Sequence, residues 1–150
     1  MRPLDLTQFP QPESNDSQSV EAALSGLRGA GSEAAANEAY DAFLWAVGNN
    51  HAGTYYPVVL AVLPEIEEIL VNGQAWAQRA VIESLIDLGG SFVPEEGHEN
   101  YLGASVQDSL NTFIHSMRRH VVPLSEGKDA RAKSAVELLE LIDDRTAKYL

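Results

Sequence analysis

With no cysteine in 150 residues, disulfides, thiolate nucleophiles and thiolate-held metals are excluded, and proton or metal chemistry falls to four histidines and the carboxylates. Two stretches concentrate these groups. The first, GNNHAGTYY over 48–56, sets His51 among glycines and asparagines ahead of an apolar run, where an imidazole has the chemistry of a general acid or base. No serine elbow or cysteine nucleophile stands in a motif with it. The residues therefore predict a structural corner, with His51 hydrogen-bonding the carbonyls that end the preceding helix. The second stretch, PEEGHENY over 94–101, gathers Glu95, Glu96, His98 and Glu99 in a spacing that no zinc or calcium loop uses. His115 and His120 are five apart, about 140° around a helix, and so do not chelate one ion. We expect no catalytic residue, no metal and no cofactor.

The elements that must position these groups read as helices. Residues 1–17 are rich in Pro, Gln, Ser and Asn and predict a flexible N-terminal arm ahead of a single domain over 18–150. Val20, Ala23, Leu24 and Leu27 then recur at helical spacing, and Ala36, Ala39, Tyr40, Phe43, Leu44 and Val47 form a second stripe, ended by Gly48 and two asparagines that tolerate the left-handed conformation of a helix C-cap. Thr54 is placed to cap the third helix and Pro57 to occupy its first turn. Tyr56, Val59, Leu60, Leu63, Ile66 and Leu70 make its apolar stripe, and Pro64 should kink it by removing the bond to Leu60. Three further stripes follow, through Val81 and Leu85, through Leu110 and Ile114, and through Leu138 and Ile142. No segment alternates with the period of a strand. Shifting the chain by 54 residues lays Tyr56, Val59, Leu60 and Leu63 on Leu110, Phe113, Ile114 and Met117, which argues for a duplicated helix pair, although any two amphipathic helices align somewhere. About six antiparallel helices result. Repetition favours an α-solenoid, although periodicity alone also fits a closed helical bundle.

Charge narrows the partners. The net charge is −12, and residues 29–78 contain no Lys or Arg against Glu33, Glu38, Asp41, Glu65, Glu67 and Glu68. Such a surface repels phosphate backbones, which argues against a nucleic-acid partner. The longest apolar stretch, Tyr55 to Leu63, is about half of the roughly 20 residues a membrane helix needs. Asp5, Pro10, Pro12 and Asp16 interrupt any signal-like apolar segment, so a cytoplasmic, non-membrane protein is expected. Trp45 and Trp76 fall beside their helices' main apolar stripes, where an aromatic can anchor an interface. Together with Glu65, Glu67, Glu68 and Asp41 they form the predicted partner-binding set. His51, Gly53, Thr54, Tyr56 and Pro57 form the predicted structural corner.

HAGTYYPVVLAVLPEIEEIL, followed by RAVIESLIDLGGSFVPE, resembles the bacterial HEAT-like helical-repeat proteins. The likeness rests on His51, Gly53, Thr54, Tyr56, Pro64 and Arg79 and extends over residues 34–96. It implies a right-handed stack of antiparallel helices that binds other macromolecules, and it implies no activity. Two protein-binding readings follow. One is an immunity-type antitoxin that covers a basic toxin with its acidic face. The other is a scaffold or adaptor whose partner has either charge. An enzyme is the third class, and the absence of a convergent nucleophile, base and oxyanion arrangement disfavours it.

Overall fold

Eight helical segments and five two-residue strands follow one another in the computed structural model, which describes residues 6–148. In chain order they are α1 (Ser19–Arg28), α2 (Glu33–Val47), β1 (Gly48–Asn49), β2 (Thr54–Tyr55), α3 (Val58–Ala61), α4 (Leu63–Asn72), α5 (Ala75–Gly89), β3 (Val93–Pro94), β4 (Asn100–Tyr101), β5 (Ala104–Ser105), α6 (Val106–Ser116), α7 (Arg118–Ser125) and α8 (Ala130–Lys148). The chain is therefore helical with minor strand content. Six rods were expected; two of them are each broken into two segments. The first break falls at Val62 and leaves Pro64 in the opening turn of α4, where its missing N–H has no intrahelical partner in any case. The second falls at Met117, whose N–H is shared between the Phe113 and Ile114 carbonyls at 3.1 and 3.0 Å.

The apolar stripes find one another as their spacing requires. Leu24, Leu27, Phe43, Leu44, Ile66, Leu70, Ile82, Leu85, Leu110 and Leu138 are all buried in one continuous core. Each such side chain contributes about 1.5–3 kcal/mol by leaving water. Helix α1 packs on α2, α2 on α5, and α5 on α8, while α4 and α7 lie against α5 and α8 respectively. Between the first pair, α1 and α2, and the last, α7 and α8, there is no substantial contact among the described residues. Polar ties reinforce α5 from both sides. Gln78 donates to the Leu70 carbonyl at 2.9 Å and accepts from Arg131 of α8 at 2.6 Å, and Ser134 of α8 donates to Glu83 at 2.7 Å.

The corner over 48–57 is a hairpin and not a helix cap. Gly48 pairs with Tyr55 and Asn49 with Thr54 in the antiparallel sense, and β2 continues in parallel onto β3. Gly48 has φ −174°, extended backbone, so it is not the left-handed cap the sequence suggested. Thr54 does not cap a helix: it is a strand residue whose hydroxyl donates to Glu95, and α3 begins only after Pro57. Gly53 has φ +74°, the left-handed conformation that favours glycine, because the hairpin turns there. Asn49 closes the turn through its side chain to the Ala52 N–H at 3.0 Å, leaving His51 exposed at the tip with no hydrogen bond among the described residues. The helix-end bond expected of His51 is absent because a strand, not a bare helix terminus, precedes it.

Residues 6–17 lie against the body, contrary to the arm their composition predicts. Leu6 and Pro12 are buried, Phe9 stacks on Tyr101 with ring centroids 4.9 Å apart, and the Val58 N–H donates to the Pro10 carbonyl at 3.0 Å. A few apolar anchors suffice where the sites that receive them are preformed.

Tyr55 is wholly buried in the core, and burial pushes its phenol up to about 12; Tyr40 is driven upward too, first by burial and then by its bond to Asp87. A phenol whose folded pKa exceeds its unfolded value of 10.0 contributes fully below that value and loses its contribution as pH rises toward the folded pKa. Stability is therefore expected to fall steeply above about pH 10. In a titration followed by tyrosinate absorbance and circular dichroism together, part of the absorbance change should coincide with loss of helix. Complete tyrosine ionisation with the helical signal intact would contradict the assignment.

Candidate protein-binding face

Helix α5 runs between α2 and α8, and its outward residues Trp76, Arg79, Glu83 and Asp87 recur at helical spacing, each partly accessible. Beside them on α2, Asn37 is exposed and Tyr40 is partly accessible. A shallow cavity of about 200 Å³ lies between the two helices, lined by Ala36, Asn37, Tyr40, Arg79, Ala80 and Glu83. The two alanines leave the space.

Arg79 is the centre of this face. Its guanidinium lies over the Trp76 ring, 5.3 Å from the ring centroid, a cation–π contact that fixes both side chains. Its Nε and Nη1 are buried and have no hydrogen-bond partner. Glu83 is the closest carboxylate, but at 3.9 Å it stands beyond hydrogen-bond reach and accepts instead from Ser134. Tyr40 is committed to Asp87, donating its hydroxyl hydrogen across the α2–α5 boundary. Unmet cationic donors, an exposed Asn37 amide and a fixed indole are equipment for binding.

The six predicted partner-binding residues do not share one surface. Trp76 belongs to the α2–α5 side beside Arg79, Asp41 is exposed on α2 and accepts from Asn50 at 2.5 Å, and Trp45, 45 % exposed, lies on the α1 side of α2, where it lines a cavity with Ser19, Ala22 and Ala23. Glu65, Glu67 and Glu68 stand on α4. Sequence spacing placed that trio on open solvent, yet Glu65 is bound by Arg28 of α1 at 2.7 Å, and Glu67 lies 3.0 Å from His120 and 3.4 Å from Arg119. Glu68 alone of the three is exposed. Of the corner residues, Tyr56 packs its ring against His98 at 4.8 Å and Pro57 is buried, so both serve the junction between hairpin and helix.

Asn37, Tyr40, Glu83 and Asp87 carry no signal that separates them from ordinary helix surface. Arg79 does: it is the single Lys or Arg between Arg28 and Arg118. Among the described residues no group of three His, Asp or Glu side chains is placed to hold a metal ion, and no helix is long and apolar enough to cross a membrane.

The chain matches no known protein family, no curated protein and no solved structure at a significant level. Its class is accordingly defined by its own architecture, a helical domain with two short β-hairpins.

Proposed function

We propose that this protein is a non-enzymatic adaptor, a HEAT-like right-handed stack of helix pairs that holds another protein against the α2–α5 face. The observation that carries the reading is Arg79, fixed over Trp76 with two buried donors unmet. Leaving such donors unpaired costs free energy in the isolated protein, and a partner's carbonyl or carboxylate oxygens relieve that cost. Trp and Arg are the side chains most enriched at interface hot spots. The element order supports the stack: a hairpin, a broken helix and a long helix occur as β1 to α5 and again as β4 to α8. So does the chain of contacts α2 to α5 to α8, with its two ends apart.

The test is affinity purification from the native host, identification of the bound protein, and titration of that purified partner against variants. Trp76→Ala and Arg79→Gln are each expected to weaken binding by about 30-fold or more, the scale of an interface hot spot, with the fold retained by circular dichroism. Full affinity in both variants would remove the face from the mechanism.

An immunity-type role toward a basic toxin is the second reading, favoured by the absence of Lys and Arg over residues 29–78. In that case association should slow steeply with salt, over a screening length of about 8 Å at physiological ionic strength, and Glu68→Gln with Asp41→Asn should reduce its rate several-fold. Indifference to both salt and these two substitutions leaves the adaptor of unspecified partner charge.

A further inference from the structure

We infer that a cavity of about 190 Å³ where the end of α5 meets α6 and α8 is a binding site for a small monocarboxylate with an apolar body. Ile114 and Ile142 are buried there and Leu141 half-buried, giving an apolar lining, while Asn111, Thr112, His115 and Arg145 supply the polar groups. Gly89 sets the shape, since a Cβ at that position would come within 2.8 Å of the Ile114 Cδ1. An apolar cavity of about 150 Å³ admits benzene, so this one suits a body of about six carbons with its head group at the polar side.

Arg145 sets the charge of that head group. Arg145 makes no ion pair among the described residues, whereas the neighbouring Asp143 is already bound by Arg118 at 3.0 Å. A carboxylate received by Arg145 neutralises that cation. An ammonium ion would meet Arg145 as a like charge. The affinity is that of a single charge-assisted contact on an apolar body.

Hexanoate, 1-hexanol and hexylamine, titrated separately into the full-length protein, distinguish these contributions. Binding is followed by the methyl resonances of Ile114, Leu141 and Ile142. Hexanoate is expected to bind about tenfold or more tightly than hexanol, and hexylamine the most weakly. Arg145→Gln should bring hexanoate to the hexanol value and leave hexanol unchanged; because Arg145 is only half-buried near the end of α8, that variant keeps the fold. The inference is overturned by equal affinity for hexanoate and hexanol, by hexanoate binding that ignores Arg145→Gln, or by three compounds that leave these methyl groups unperturbed. None of these outcomes depends on the α2–α5 face, which is tested separately through Trp76 and Arg79.

Discussion

Gly48→Ala should destabilise the protein by about 3 kcal/mol or more and lower its melting temperature by about 10 °C. The reason is position and not dihedral preference, for φ at Gly48 is −174°, which any residue adopts. A Cβ built there would stand 2.0 Å from the Thr54 carbonyl oxygen and 2.7 Å from the Tyr55 Cα. Both are backbone atoms of the paired strand, so no side chain can rotate aside. Relief requires β1 and β2 to separate, and separation withdraws Tyr55, the largest wholly buried side chain, from the core. Gly26→Ala is the control. It lies exposed within α1, where the new methyl meets only the Ala39 Cβ at 3.8 Å, and should raise stability by up to about 1 kcal/mol. Thermal melts of the two variants measure both effects, and a Gly48→Ala protein that melts with the wild type would show that the hairpin is not held closed.

The helices were legible because each buries a stripe whose 3.6-residue period survives in the sequence. Val20 to Leu27, Ala36 to Val47 and Ala135 to Ile142 all pack where their spacing points them. The strands were illegible for a physical reason: two-residue strands have no alternation to detect, and their pairing is backbone bonding between distant segments, as when Thr54 pairs with Val93. The ion pairs of Glu65 and Glu67 were illegible for the same reason. Glu65 and Glu67 look solvated along α4 alone, but their partners Arg28 and His120 are 37 and 53 residues away and arrive only when the helices pack. Positions on one helix follow from its own periodicity; the partners across a boundary follow from which boundaries form. Arg79 was visible as an isolated cation, but its unmet donors depend on Glu83 being taken by Ser134 of another helix. Of the candidate face, Trp76 was legible and the centre was not.

Deleting residues 2–17 is expected to lower the melting temperature by about 6–12 °C, although composition alone predicts almost no change. The segment supplies specific bonds to buried partners. Removing Pro10 leaves the N–H of wholly buried Val58 without its acceptor, and removing Asn15 leaves the Ala46 carbonyl without the amide that reaches it at 2.6 Å. Each buried group left unpaired costs about 1–3 kcal/mol. The loss of Leu6 from the core adds about 1.5–3 kcal/mol, and the entropy recovered by no longer ordering the segment offsets part of the total, leaving about 3 kcal/mol net. Calorimetry of the truncated chain measures the sum, and a melting temperature within 2 °C of the full chain would mean that the segment detaches at little cost. Phe9→Ala separates the local contribution. Phe9 stacks on Tyr101, and the Tyr101 hydroxyl reaches the Gln8 carbonyl at 3.4 Å, so these two contacts tether the β4–β5 hairpin to the N-terminal segment. That variant should lower the melting temperature by only a few degrees while amide exchange at Asn100, Tyr101 and Ser105 accelerates by about tenfold or more, because the hairpin then opens by itself while the helices stay packed.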